Sequence, residues 1–187
     1  MDRRIQKTKD AITEAFVGLM AEKNFEQITI NEIADRANVN RGTVYLHYVD
    51  KYDLLDQCIE THLNQLFQSC APAEDTPGFS SKTSLLHTFE YLEQHAFFYS
   101  TMLKNKGIPA FRNRLLAMAL HGLREQIDMS GINQNMNQEV LVQFLASAAV
   151  GVVEWWITHS MPYPATDMVE QFRLLLERFQ MVPKELV

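Results

Sequence analysis

Apolar residues recur every three or four positions along nearly the whole chain, and that period commits it to helices. Ile12, Ala15, Phe16, Leu19 and Met20 stand at i, i+3, i+4, i+7 and i+8, one apolar stripe on a helix of about residues 3–22. Leu55, Cys58, Ile59, His62, Leu63 and Leu66 repeat the pattern after Asp50, whose carboxylate suits an N-cap, and predict a long helix reaching about residue 70. Seven glycines and six prolines among 187 residues are too few breakers for a sandwich or barrel, which turns about every 8–12 residues. The expected fold class is all-α.

The length suits one globular domain or two small ones, and 47% hydrophobic residues can build a packed core. Arg3, Arg4, Lys7 and Lys9 near the start are not followed by the apolar run of a secretory signal. The most apolar stretch, residues 144–153, stops at Glu154, well short of the ~20 residues that cross a bilayer. A soluble, cytoplasmic protein with no membrane partner is therefore expected. Cys58 and Cys70 form no CxxC pair and lack paired histidine spacing, so they read as idle thiols in a reducing compartment, with no metal and no cofactor. No phosphate loop, GxGxxG, GxSxG or paired carboxylate stands out, and the chain is read as a non-enzyme.

A formal net charge of −6 argues against indiscriminate attraction to nucleic acid, so cations that touch phosphate must be clustered. Residues 1–53 carry eight Lys/Arg against nine Asp/Glu, and the remainder nine against fourteen. In the first segment Thr29 precedes Glu32 by three positions, a capping box opening a short helix with Ile30, Ile33, Ala34 and Ala37 inward. Asn38, tolerant of positive φ, interrupts it, and Asn40 can cap a second short helix over residues 41–48. Two short helices joined by about three residues and braced by a longer one match the helix-turn-helix plan, whose second helix enters the DNA major groove. Gly42 removes the side chain that would hold the backbone off a duplex, and Arg41 and Thr43 flank it with groups that reach base edges or phosphates. Tyr45 and His47 offer polar tips. Tyr48 either gives its hydroxyl to phosphate or packs the small core, and Lys51 places a cation at the next helix start. The basic N-terminal residues are read equally as a solvated end or as an arm that tracks phosphates.

Residues 28–55, ITINEIADRANVNRGTVYLHYVDKYDLL, resemble the DNA-binding domain of the TetR/AcrR family of bacterial transcription regulators. Ile33, Ala34, Ala37, Val39, Gly42, Thr43, Tyr45, Tyr48, Lys51 and Leu54 fall at the family's spacing without a gap. Asn38 stands for a usual glycine and Asn40 for a common serine, and both suit the same backbone roles. The resemblance implies backbone contacts to DNA from Thr29, Thr43, Tyr45, His47, Tyr48 and Lys51, with Arg41 and Gly42 nearest the bases. It also implies a helix-turn-helix domain of residues 1–50 and a larger domain of residues 51–187 for effector binding and dimerisation, helix 51–70 connecting them. Residues 98–115, FYSTMLKNKGIPAFRNRL, with Gly151, Trp155, Trp156 and Pro164, are similar to a C-terminal subtype that includes activators of dihydroxyacetone kinase operons.

Residues 71–81, with Pro72, Pro77 and Gly78, read as a linker, and helices follow around 85–96, 97–104 and from Pro109 to a stop at Gly131. Residues 141–157 leave almost no polar face, and the helix after Pro162 and Pro164 is apolar on more than one side. A chain of this length has little mass to cover both. A second copy is therefore expected over Val152, Trp155, Trp156, Phe172, Leu175 and Phe179, in an intermolecular four-helix bundle. Phe89, Phe98, Met102, Phe111, Leu115, Met118 and Phe144 read residue by residue as core. Such an adaptable wall, with Ser147 or His121 as polar groups, also suits a hydrophobic or amphipathic effector. His62, His87, His95, His121 and His159 fall on separate helices and are read as structural. The function expected is a homodimeric repressor released from a palindromic operator by such an effector. The alternatives are an activator or adaptor controlled by a protein partner, and an all-α binding or catalytic protein whose helix-turn-helix is vestigial.

Overall fold

Helix α1 (Arg3–Glu22) lays the stripe Ile12, Phe16, Leu19 and Met20 into the core and supports two short helices, α2 (Ile30–Arg36) and α3 (Arg41–Tyr45). This computed structural model describes residues 3–70, 82–105, 109–124 and 127–178, and among them every regular element is helical. A 3-10 turn at Phe25–Gln27, capped by Asn24, separates α1 from α2. Phe25 closes that corner, its ring meeting Phe16 edge-on at 6.1 Å.

The long helix α4 (Lys51–Cys70) leaves this unit and enters a bundle of α5 (Lys82–Gln94), α6 (Ala96–Lys104), α7 (Pro109–Arg124), α8 (Gln138–Thr158) and α9 (Ala165–Arg178). Its start is capped as the sequence predicts, with Asp50 Oδ1 accepting from the backbone N–H groups of Tyr52 (2.8 Å) and Asp53 (2.9 Å). Leu54, Cys58, Ile59, Leu63 and Leu66 carry one continuous core from the α1–α3 unit into the bundle. There Phe89 takes the edges of Trp156 and Phe172 at 5.3 and 5.1 Å.

One expectation needs adjustment. The α7 helix does not run on to Gly131: residues 127–129 are not helical, and Gly131 opens a 3-10 turn with φ 56°. The linker expected at 71–81 and Phe179, expected at a dimer interface, lie outside the described residues. Among the described residues α8 alone is long and apolar enough to cross a membrane. It packs on α6 and α7 and buries Leu141, Leu145, Val150, Trp156 and Ile157, the pattern of a core helix. Its other side, with Val140, Phe144, Ala148 and Trp155, is exposed within the single chain, which by itself does not cover the helix all round.

Candidate nucleic-acid interface

Caps build the helix-turn-helix. Thr29, extended at φ −114°, accepts the Glu32 N–H on its hydroxyl (3.3 Å), and Glu32 accepts the Thr29 N–H in return (3.0 Å), which is the capping box. Lys23 also ion-pairs with Glu32. Lys23 first and Thr29 second hold the Glu32 carboxyl down to about 2. Asn38 sits at φ 53°, the left-handed conformation that lets the chain reverse, and Val39 donates back to Ala34 (3.0 Å). Asn40 then caps α3, its Oδ1 accepting from Gly42 N–H at 2.8 Å.

This geometry divides α3 into two faces. Val44 and Tyr48 point inward, while Arg41, Gly42 and Tyr45 are exposed and Thr43 and His47 half-buried at the edge. A side chain added at Gly42 would meet only its own cap, Asn40 Oδ1, at 3.4 Å, so the outer face is bare backbone there. Two residues overlooked in the sequence join this surface: Leu46 is 80% exposed and Val49 79%. Helical spacing contains the signal, since Leu46 lies four residues after Gly42, away from the Val44–Tyr48 stripe.

Two residues selected as phosphate ligands are turned inward. Tyr48 is 5% exposed, and burial raises its pKa. Lys51 gives its ammonium to three backbone carbonyls, those of Phe25 (3.2 Å), Glu26 (2.9 Å) and Ile28 (3.2 Å), and lies over the Phe25 ring. It thus ties α4 to the turn before α2. The first amides of α4, where a phosphate oxygen was expected, already face the Asp50 carboxylate.

The larger half gathers part of the residues chosen for an effector. Phe89, Phe98, Met102, Phe111 and Leu115 share the main core, with Met118 packed against it. Phe144 and Ser147 are elsewhere, lining an open groove of about 520 Å³ on the outer side of α8 with Glu139, Val140 and Gln143. Histidines read as scattered come together: His62 stacks on Phe98 (3.7 Å between ring centroids, 17° tilt) and faces the His95 ring at 5.4 Å. Burial, then His95, pulls the His62 pKa down to about 4. Of the residues expected at a dimer interface, Trp155 is 42% exposed, Leu175 is exposed and Val152 half-buried. Trp156 is 0% exposed, donates its indole N–H to Tyr163 O (2.8 Å) and packs with Phe172 inside its own chain.

A bare second helix on a capped helix-turn-helix, carried by a helical body, defines a DNA-binding transcription regulator. Residues 12–58 match the profile of the bacterial regulatory proteins of the tetR family, and residues 80–178 match TetR_C_8, the transcriptional regulator C-terminal region. The chain belongs to the TetR family of bacterial transcription regulators. It is 32% identical over 100 residues to the HTH-type transcriptional regulator YxbF of Bacillus subtilis (strain 168), covering 51% of this chain but only 26% of that relative. It is 21% identical over 188 residues to the probable acrEF/envCD operon repressor of Escherichia coli (strain K12), covering 91% of this chain and 84% of that one. A solved TetR transcriptional regulator from Streptococcus agalactiae 2603V shares the fold with a TM-score of 0.69 and 28% identity over 94% of this chain and 96% of that one. The dihydroxyacetone kinase operon activator DhaS has a TM-score of 0.66 at 20% identity over 95% and 98%, a likeness of fold. These proteins are regulators, in keeping with the reading of the chain as a non-enzyme.

Proposed function

We propose that the protein is a cytoplasmic, homodimeric repressor that inserts α3 into the major groove of a palindromic operator and releases it when a hydrophobic or amphipathic small molecule enters the larger domain. The observation that carries this reading is the exposed edge of Arg41, Gly42 and Tyr45 set over a buried Val44 and Tyr48. Thr43 and His47 flank that edge, Thr29 stands at the start of α2, and Asn40, Tyr48 and Lys51 fix the frame from behind. On this reading residues 1–50 bind DNA, residues 51–187 bind the effector and a second copy, and α4 connects them. The exposed Val140, Phe144, Ala148 and Trp155 on α8 and Leu174 and Leu175 on α9 support pairing, because a face of this kind seeks cover. The operator repressor among the relatives supports the sign.

Footprinting on the DNA flanking the protein's own gene tests the reading. Two protected half-sites about 34–36 Å apart are expected. An amphipathic effector should weaken protection about 5–150-fold. Absence of duplex affinity at low salt overturns it. A second reading, control by a protein partner, is favoured by the close ring packing of Phe98 on His62 and Phe111, which a small molecule would have to part. A protein that co-purifies with the chain and changes its footprint would select this alternative.

A further inference from the structure

The C-terminus of α1 has neither a glycine nor a basic side chain in its last turn to satisfy its free carbonyls. Leu19 O takes the backbone N–H of Lys23 (3.0 Å), whereas the donor to Met20 O comes from a distant part of the chain. Asn105 Nδ2 donates to Met20 O (3.1 Å) and also reaches Lys23 O (3.4 Å). The same residue ends α6, its backbone N–H bonding to Thr101 O (3.0 Å). Earlier on α6 stands Tyr99, whose hydroxyl donates to His62 O on α4 (3.2 Å). Helix α6 therefore bridges α4 and α1.

From α1 the connection runs on. Lys23, whose carbonyl Asn105 holds, pairs through its ammonium with Glu32, and Glu32 caps Thr29 at the start of α2. Glu22 pairs with Arg36 at the far end of α2 (2.7 Å), and the Arg36 guanidinium lies so close over Gly18 that an added Cβ would stand 2.9 Å from it. The last turn of α1 is thus strapped to both ends of α2, and α2 seats α3.

We propose that Asn105 is a positioning residue for DNA binding: its amide clamps the end of α1 and, through Lys23, Glu32 and Thr29, holds the helix-turn-helix at a fixed angle on the larger domain. A shift of α6 then reaches α3 without passing along α4. This role for Asn105 rests on the DNA-binding reading above.

The test is a double-mutant cycle in the full-length chain, with Asn105→Ala, Lys23→Met and the pair together. Two quantities are read: backbone hydrogen exchange over residues 24–36, without DNA, and affinity for a duplex that the wild-type protein selects from a random pool. Asn105→Ala should speed that exchange about tenfold while leaving α8 unchanged. It should weaken the duplex about fivefold, and Asn105→Gln, which keeps the donor, should recover most of both effects. The double variant should lose little beyond Lys23→Met alone, because both act on one connection. Additive losses, or wild-type exchange in Asn105→Ala, overturn the proposal. If Asn105→Ala fails to fold, Asn105→Asp, which sets an oxygen against the two carbonyls, takes its place under the same criteria. A wild-type chain that selects no duplex overturns the DNA-binding reading instead, and the exchange data still judge the clamp.

Discussion

Arg41 and Tyr45 hold each other across one turn of α3, the guanidinium donating to the phenol oxygen at 3.2 Å and lying 5.4 Å from the ring centroid. A long side chain ordered before it meets its ligand loses less entropy on binding. A bidentate contact to a base is worth about 1–3 kcal/mol of discrimination. Arg41→Ala should therefore weaken a selected duplex about 5–150-fold and a random one far less. Band shifts on the two duplexes check it, and equal losses would remove Arg41 from base reading.

Lys51 leads to a different expectation. Its three carbonyl partners make it a tie within the fold, and hydrogen bonds to a charged group contribute about 1.5–3 kcal/mol. Lys51→Met should lower stability in urea by about that amount. The slope of log affinity on log salt should stay as in the wild type, whereas loss of a phosphate contact would flatten it by about 0.9.

His62 makes stability depend on pH. Its folded pKa, about 4, lies below the ordinary value of 6.5, so between those values the unfolded chain binds a proton that the folded chain refuses. The His62 contribution is complete above pH 6.5 and lost as pH falls toward 4. Melting temperature should drop across that window, and His62→Phe should flatten the drop. An identical pH profile in wild type and variant would show that His62 protonates freely in the folded state.

The neighbouring tryptophans of α8 should part company on substitution. Trp156→Ala empties a site in the core and should cost about 3–5 kcal/mol by denaturant unfolding. Trp155→Glu and Phe144→Glu place charge on the exposed side and should cost the fold far less, while the dimer proposed above should sediment as a monomer. Sedimentation unaffected by both would overturn the proposed pairing through this side of α8.

Local chemistry was legible in the sequence wherever a side chain acts on its own neighbourhood. Thr29 with Glu32, Asn40 with Gly42 and Asp50 with Tyr52 and Asp53 are caps within three residues, and Asn38 takes the left-handed turn its short amide tolerates. Direction was harder to read. Tyr48 and Lys51 carry polar tips in a segment that resembles a DNA-contacting one, yet Tyr48 is buried in the small core and Lys51 reaches back more than twenty residues to the turn around Phe25. Periodicity names the apolar positions of α8 but does not say which side meets its own chain, so Trp155 and Trp156 looked equivalent although only the second packs on Phe89. The pairing of His62 with His95 and the reach of Asn105 to Met20 are set by tertiary packing, which no local spacing encodes.

The tie from Lys51 to Phe25, Glu26 and Ile28 crosses any cut made at residue 50. A chimera joining this N-terminal unit to a foreign body at that point would leave three carbonyls without their cation. A junction after Cys58, where the N-terminal family match ends, keeps donor and acceptors on the same parental segment, and is the splice to choose when exchanging C-terminal regions between relatives.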